Sequence, residues 1–163
     1  MSIQNGDPIP PARLFVMDEN GAPRATPASE LFAGKRVVLF AVPGAFTRTC
    51  SEKHLPSFVE NADAIKAKGI DEIACVAVND AMVLAAWGRE RDAAGKISML
   101  SDGLCEFTRA LGLEQDLSER GLGLRSKRYA MLIADGKVVD LHVEPPGGYG
   151  VSSGEAVLER LGH

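Results

Sequence analysis

The run Val37-Val38-Leu39-Phe40-Ala41-Val42, followed directly by Pro43-Gly44-Ala45-Phe46-Thr47-Arg48-Thr49-Cys50, determines how this chain is expected to fold. An uninterrupted apolar run of this length predicts a central β-strand that is covered on both faces. Beyond Cys50, apolar residues recur with the i, i+3, i+4 spacing of an amphipathic helix, and Pro56 is expected to bend its second turn. Cys50 is therefore predicted at the N-terminus of a helix, where unpaired N–H groups and the helix dipole stabilise a thiolate.

The elements predicted around this strand define the fold class. Further strands are predicted at residues 13–17, 73–78, 97–100, 129–134 and 137–143, the last two joined by the turn Asp135-Gly136. Helical segments are predicted at 29–34, from Cys50, after Asn79 or Asp80, at 106–113 and after Ser152-Ser153, and residues 114–127 are predicted to be a loop. This order is typical of an α/β protein with a thioredoxin-like fold: a mixed central sheet flanked by helices, with an N-terminal β-hairpin. We expect one domain over residues 1–163.

The composition narrows the class of protein. The chain has 163 residues, of which 45% are apolar and 25% charged, and a net charge of −4 without a run of Lys or Arg. These values predict a soluble globular protein that binds neither nucleic acid nor membrane. The first residues lack a basic segment followed by an apolar one, so we expect no secretory signal and a cytoplasmic location.

The cysteines and histidines give few candidates for a site. Cys50, Cys75 and Cys105 form no C-x-x-C pair, which favours a reducing compartment over a disulfide framework. Cys75 lies in an apolar strand and is expected to be a buried small hydrophobe, whereas Cys105 lies in a loop or first turn and is expected to have no role. Cys50 and His54 are four residues apart, but no second pair completes a metal site, and none is expected. His54 is expected to pack or to hydrogen-bond within the bent helix rather than to act as a general base.

A thiolate at a helix start is suited to attack on a peroxide O–O bond, which requires hydrogen-bond donors for two oxygens and a fixed positive charge. Thr47 lies one turn before Cys50 and is predicted to offer its hydroxyl to peroxide and to sulfur. The backbone N–H groups of Thr49 and Cys50, together with Gly44, are predicted to bind substrate. Pro43 is predicted to shield the sulfur from water.

The positive charge has to come from elsewhere in the chain. Lys127 and Arg128 both precede the strand predicted at 129–134, at a strand end where a side chain reaches the helix start. Arg128 is the better candidate because a guanidinium stays charged and bridges two acceptors.

These residues resemble a known motif. Pro43-x-x-x-Thr47-x-x-Cys50, with Arg128, is similar to the active-site motif of the peroxiredoxins, and the chain most resembles their type II (atypical) subfamily, often reduced by glutaredoxin. The resemblance extends over roughly residues 3–161. Its supporting stretches are Val42-Pro43-Gly44-Ala45-Phe46-Thr47, His54-Leu55-Pro56, Val78-Asn79-Asp80-Ala81, Trp87-Gly88-Arg89 and Arg125-Ser126-Lys127-Arg128-Tyr129-Ala130.

The resemblance implies a thiol peroxidase that reduces hydrogen peroxide and alkyl hydroperoxides, has no metal or organic cofactor and forms a homodimer. It implies that Cys50 is the peroxidatic nucleophile, which becomes a sulfenic acid, and that Pro43, Thr47 and Arg128 form its pocket. External thiols, from glutaredoxin with glutathione or from thioredoxin, would regenerate Cys50. An alternative stays open, in which the protein is a peroxide sensor or redox-regulated holdase whose Cys50 oxidises without turnover.

The chain departs from the family pattern at two positions. Arg48 stands where proline is common, which adds positive charge near Cys50, and Ser153 lies near the place of a C-terminal resolving cysteine in some members. Cys75 follows Cys50 by 25 positions, a spacing that some type II members share, and is therefore a possible resolving cysteine. Its place in the strand is roughly 10 Å below Cys50, whereas a disulfide needs Cα atoms within about 7 Å. We expect a one-cysteine cycle in which an external thiol captures oxidised Cys50.

Overall fold

A seven-stranded mixed β-sheet forms the centre of the structure, a computed structural model that describes residues 2–162. The predicted domain, 1–163, includes residues 1 and 163, which lie outside the described residues. The strands of this sheet are β1 (Arg13–Met17), β2 (Pro23–Pro27), β3 (Arg36–Ala41), β4 (Glu72–Ala77), β5 (Ser98–Ser101), β8 (Tyr129–Ala134) and β9 (Lys137–Val143). The helices are α1 (Ala28–Leu31), α2 (Leu55–Lys66), α3 (Ala81–Glu90), α4 (Glu106–Leu111) and α5 (Gly154–Leu161).

The sheet order confirms the predicted thioredoxin-like topology. The strands follow the order β2-β1-β5-β4-β3-β8-β9. The three inner strands β3, β4 and β5 are parallel, whereas β8 pairs with β3, β9 with β8, and the β1–β2 hairpin with β5 in antiparallel fashion. The carboxyl ends of the three parallel strands therefore meet at one edge of the sheet, where loops carry functional groups in open α/β folds.

The alternation of side chains along β3 explains why its apolar run is continuous. Val38 and Phe40 belong to a core cluster on the face covered by α2, α3 and α5. Val37 and Leu39 belong to a second cluster on the opposite face, together with side chains from α4. Both faces of the strand are buried from Val37 onward, so every position after the exposed Arg36 is apolar.

Local signals for turns and caps are confirmed by the structure. Asp135 and Gly136 both have positive φ, 47° and 76°, as a two-residue hairpin of type I′ requires. The side chain of Asp80 accepts a hydrogen bond from the N–H of Val83 and so caps α3, and Ser153 caps α5 through the N–H of Ala156. Within residues 2–162, no helix is long and apolar enough to cross a membrane.

The prediction of a loop at residues 114–127 is wrong. This segment forms a small two-stranded sheet of β6 (Glu114–Asp116) and β7 (Leu124–Ser126), separated by one turn of 3₁₀-helix at Ser118–Arg120. Its strands have three residues each and are mostly polar, so neither hydrophobic alternation nor length indicates them in the sequence. The hairpin presents Arg125, opposite Gln115, beside the loop that follows β3.

Candidate active site

The loop after β3 delivers Cys50 to the first turn of a helix, as predicted, although that helix begins two residues earlier. Arg48 and Thr49 already have helical conformation, and the N–H of Ser51 donates to the carbonyl of Thr47 at 2.9 Å. The N–H groups of Arg48, Thr49 and Cys50 precede this first helical hydrogen bond and have no intrahelical acceptor. They are therefore free to bind the oxygens of a substrate beside the sulfur.

The turn that carries Cys50 is wider than the predicted α-helix. Cys50–His54 is one turn of π-helix, in which the N–H of Leu55 donates to the carbonyl of Cys50. Pro56 follows in the first turn of α2 and has no N–H to give to an α-helical bond. The distortion predicted at Pro56 therefore occurs as a widened turn directly before this residue. Such π-helical turns are often found at functional sites. Cys50 and His54 lie on the same side of the helix, where Arg128 contacts both.

Arg128 reaches the sulfur because of the strand register. Tyr129, the next residue, pairs with Ala41 at the end of β3, so Arg128 lies at the sheet edge where the Cys50 loop begins. Its Nη2 donates to Cys50 Sγ at 3.2 Å and its Nη1 donates to His54 Nδ1 at 2.8 Å. The guanidinium of Arg128 therefore bonds to two groups, the sulfur of Cys50 and the ring of His54. Lys127 is exposed.

His54 is fully buried and holds the arginine. Its Nε2 donates to the carbonyl of Ser152 at 2.9 Å, which leaves Nδ1 unprotonated to accept from Arg128. Burial, and next the charge of Arg128, lower the pKa of His54 to about 3. Of the two expectations for His54, packing is confirmed, since its ring lies against Phe40 and Phe58. A hydrogen bond within the helix is not found, because both ring nitrogens bond to residues distant in the chain. A ring whose free lone pair is engaged by a guanidinium is unsuited to act as a general base for Cys50.

Residues 144–153, which we call the strap, cover Arg128 and His54. One carboxylate oxygen of Glu144 accepts from the N–H of Gly150 at 2.6 Å and from both the N–H and the hydroxyl of Ser152, at 2.9 and 2.7 Å. Burial alone would raise the pKa of Glu144, but these hydrogen bonds hold it below its ordinary value. The Tyr149 ring packs edge-on against His54, with centroids 5.3 Å apart, and its centroid lies 6.0 Å from Arg128 Cζ.

Thr47 and the loop around it differ from the prediction in one contact. The Thr47 hydroxyl donates to the carbonyl of Gly44 at 2.6 Å rather than to sulfur, which closes the loop on itself. The Ala45 N–H donates to the side chain of Asn79 at 2.9 Å, so Asn79 braces this loop while Asp80 caps α3. These bonds fix the loop against the carboxyl end of β4.

Further contacts hold the turn that carries Cys50. Trp87 is fully buried in the core, and its indole N–H donates to the Ser51 hydroxyl at 2.9 Å. Arg48 extends into solvent, with its side chain 90% exposed, and lies 3.6 Å from Glu52. Its expected positive charge is therefore directed away from the buried sulfur and partly offset by a carboxylate.

The three cysteines are all free thiols and all buried. Cys75 lies opposite Phe40 in the β3–β4 register and belongs to the same core cluster as Cys50. Burial raises the pKa of the Cys75 thiol well above its ordinary value, which disfavours its thiolate. Cys105 precedes α4 in a left-handed conformation, and burial raises its pKa as well. Arg109 acts in the opposite direction on the pKa of Cys105 but does not outweigh burial, whereas Arg128 donates directly to the Cys50 sulfur at 3.2 Å.

Three residues that brace this site, Glu144, Asn79 and Arg125, were not predicted to do so from the sequence, although Asn79 was one of two candidate caps of α3. Asn79 and Arg125 fall in stretches that carried the family resemblance, so a signal for them existed. Glu144 stands before Pro145-Pro146, and nothing in its sequence surroundings indicates that its carboxylate organises the strap.

Comparison with known proteins agrees with this geometry. The Redoxin family profile matches residues 4–158. The chain is 46% identical to Peroxiredoxin-2B of Arabidopsis thaliana over 98% of both chains, and 50% identical to the chloroplastic Peroxiredoxin-2E-2 of rice over 98% of this chain and 73% of that protein. It is also similar to the crystal structure of reduced Prx3 from Vibrio vulnificus in complex with hydrogen peroxide, with 52% identity and a TM-score of 0.94 over 98% of this chain and 99% of that one.

Proposed function

Since this chain belongs to the redoxin family, among the type II peroxiredoxins, it is a thiol-dependent peroxidase, and we propose that Cys50 is its peroxidatic nucleophile. The observation that carries this proposal is the 3.2 Å hydrogen bond from Arg128 Nη2 to Cys50 Sγ in the first turn of a helix. A guanidinium and free backbone N–H groups around one sulfur stabilise negative charge on it before and during attack.

In the proposed reaction the Cys50 thiolate attacks one oxygen of the peroxide, an S–O bond forms and the O–O bond breaks. The second oxygen leaves as hydroxide or alkoxide and takes up a proton, and Cys50 becomes a sulfenic acid. Arg128 is positioned by His54 to donate to the sulfur throughout this exchange. The N–H groups of Thr49 and Cys50 bind the peroxide oxygens.

Thr47 has a more specific task in this proposal than the sequence indicated. The Thr47 hydroxyl already donates its proton to the Gly44 carbonyl, so the lone pairs of its oxygen are available to accept a hydrogen bond from the peroxide O–H. Pro43 and Gly44 form the rim of the pocket and limit the access of water. The fully buried Cys50 side chain supports this shielding role.

We propose a one-cysteine cycle for regeneration. A thiol such as glutathione condenses with the sulfenic acid, releasing water and forming a mixed disulfide, which glutaredoxin and a second thiol resolve. The location of Cys75 inside β4 and the serines at positions 152 and 153 support an external thiol over an internal one. Thioredoxin is the second candidate reductant.

We also propose a homodimer and a cytoplasmic location. Phe46, Met82 and Leu104 are exposed by 48%, 52% and 52%, and each lies on a loop or first turn that follows a parallel strand. An apolar group at one edge of the sheet supports association through that edge. Three unpaired cysteines support a reducing compartment.

Turnover of peroxide tests the proposal. The wild-type protein with glutathione and glutaredoxin is expected to consume many peroxides per chain, the Cys50→Ser variant none, and the matched Cys105→Ser variant as many as the wild type. Turnover that survives in Cys50→Ser would show that another group is the nucleophile. Consumption of about one peroxide per chain with every reductant, thioredoxin included, would favour the sensor function instead.

A further inference from the structure

A second arginine contacts the Cys50 loop from the side of the β6–β7 hairpin. The Nε of Arg125 donates to the carbonyl of Leu122 at 2.8 Å, and its Nη1 donates to the carbonyl of Pro43 at 3.3 Å. The side chain is only half-buried, and it contacts Pro43 in the loop that leads to Cys50.

Gly44 allows this close approach. A Cβ atom at position 44 would lie 3.0 Å from Arg125 Nη1 and 3.2 Å from Thr47 Cγ2, tighter than ordinary van der Waals contact. The φ angle of Gly44 is not in the left-handed region, so the backbone itself does not require glycine here. The missing side chain therefore serves to bring a guanidinium against the loop that carries Thr47.

The charge of Arg125 has no carboxylate partner in the part of the chain that the structure describes. Within residues 2–162, no carboxylate lies within 4.0 Å of its guanidinium, whereas Arg13, Arg48 and Arg160 each have one. Both of its hydrogen bonds go to neutral carbonyls, and its Nη2 donates to no acceptor in that part of the chain. A half-buried cation with a free donor edge is suited to bind an anionic ligand.

Two other arginines near the site, Arg128 and Arg48, are committed to other contacts. Arg128 gives its two Nη atoms to Cys50 and His54, and Arg48 extends into solvent beside Glu52. Of these three arginines, Arg125 is the one whose guanidinium bonds only to neutral carbonyls within residues 2–162, so it is available to a ligand that enters the pocket.

We propose that Arg125 forms a carboxylate-binding subsite at the rim of the Cys50 pocket; this rests on the proposed function, which it deepens. The planar guanidinium binds a carboxylate through charge-assisted hydrogen bonds and orients the molecule that bears it. Two kinds of molecule can carry such a carboxylate to Cys50. An organic hydroperoxide reacts with the reduced form of Cys50, and a thiol reductant such as glutathione reacts with the oxidised form.

Matched substrates test the oxidation step. The rate constant for Cys50 oxidation is measured by stopped flow with a short hydroperoxide that bears a carboxylate and with its methyl ester, in wild type, Arg125→Gln and, as a control, the exposed neighbour Lys127→Gln. If the subsite binds the peroxide, Arg125→Gln slows the acid by about tenfold or more and leaves the ester almost unchanged, since hydrogen bonds to charged groups are worth about that much. Lys127→Gln leaves both unchanged, and Arg125→Lys restores part of the loss.

A second pair of reagents tests the reduction step. The oxidised protein is reduced with glutathione and with neutral 2-mercaptoethanol, and a loss in Arg125→Gln that is confined to glutathione identifies the thiol as the ligand. Equal loss with all reagents would show that Arg125 only braces Pro43, and no loss with any would show that it binds no carboxylate; either result overturns the proposal. Neither result bears on whether Cys50 is the nucleophile, which the Cys50→Ser variant decides separately.

Discussion

Lowering the pH should reduce the free energy of unfolding specifically through the protonation of His54. The ring is buried and neutral, with Nε2 donating to Ser152 and Nδ1 accepting from Arg128, so a second proton has no acceptor and faces a guanidinium. In the unfolded chain the same ring titrates at its ordinary pKa of 6.5, whereas in the folded protein the pKa is about 3. The unfolded state therefore binds the extra proton first. The stability due to neutral His54 is complete above pH 6.5 and is lost progressively as the pH falls toward 3.

The expected size of this effect is large enough to measure. Between pH 7 and pH 5 the unfolded ring becomes almost fully protonated while the folded ring stays neutral, which costs about 2 kcal/mol at 1.36 kcal/mol per pH unit. His54→Gln removes the titration but keeps one acceptor and one donor of similar reach. The difference between the two proteins cancels the contribution of every other ionisable group, Glu144 included.

Urea unfolding at pH 7, 6 and 5 is the assay, followed by the fluorescence of Trp87, the single tryptophan, which is fully buried. The wild type is expected to lose about 2 kcal/mol more unfolding free energy than His54→Gln over this range. If the two free energies fall in parallel, His54 is not held neutral by burial and Arg128, and the reasoning about the site is refuted.

Two further predictions concern the site and the packing behind it. Arg128→Met should slow Cys50 oxidation by about 100-fold, because loss of one preorganised donor costs on the order of 3 kcal/mol in the transition state. Stopped-flow measurement compares its rate with that of the control variant Lys127→Met. An unchanged rate in Arg128→Met would show that another residue supplies the positive charge. Gly154→Ala should lower the unfolding free energy by about 1–3 kcal/mol, because a Cβ there would lie 2.3 Å from the Ser57 carbonyl oxygen where α5 crosses α2. Gly150→Ala, which adds a methyl group in open space, is its control, and equal stability of the two variants would contradict this packing argument.

Most of the fold follows from local patterns in the sequence. The continuous run that becomes β3 is apolar because both of its faces are buried, and Asp135-Gly136 supplies the two positive φ angles of a tight hairpin. The short polar strands β6 and β7 leave no such pattern, since they pair only with each other and bury little apolar surface. The π-turn at Cys50 also has no periodicity of its own, and only Pro56 marks the place where an α-helical bond cannot form.

Some residues of the candidate site could likewise be predicted from the sequence, whereas other contacts could not. Cys50, Thr47 and Arg128 were predicted because a thiol at a helix start needs donors and a cation, and because their spacing resembles a known motif. The links from His54 to Ser152 and from Ser152 to Glu144 connect distant parts of the chain, and one sequence contains no signal for such contacts. The orientation of a hydroxyl, such as that of Thr47 toward Gly44, likewise depends on three-dimensional neighbours.

The central claim, that Cys50 alone carries the oxidation, is tested most directly by mass spectrometry after one equivalent of hydrogen peroxide without added thiol. We predict that each chain gains oxygen and that digestion locates it on Cys50, as sulfenic acid trapped by dimedone or as a more oxidised form, with Cys75 and Cys105 unmodified. Oxygen on another cysteine with Cys50 intact, or a loss of two hydrogens with a peptide that joins Cys50 to Cys75, would contradict the claim.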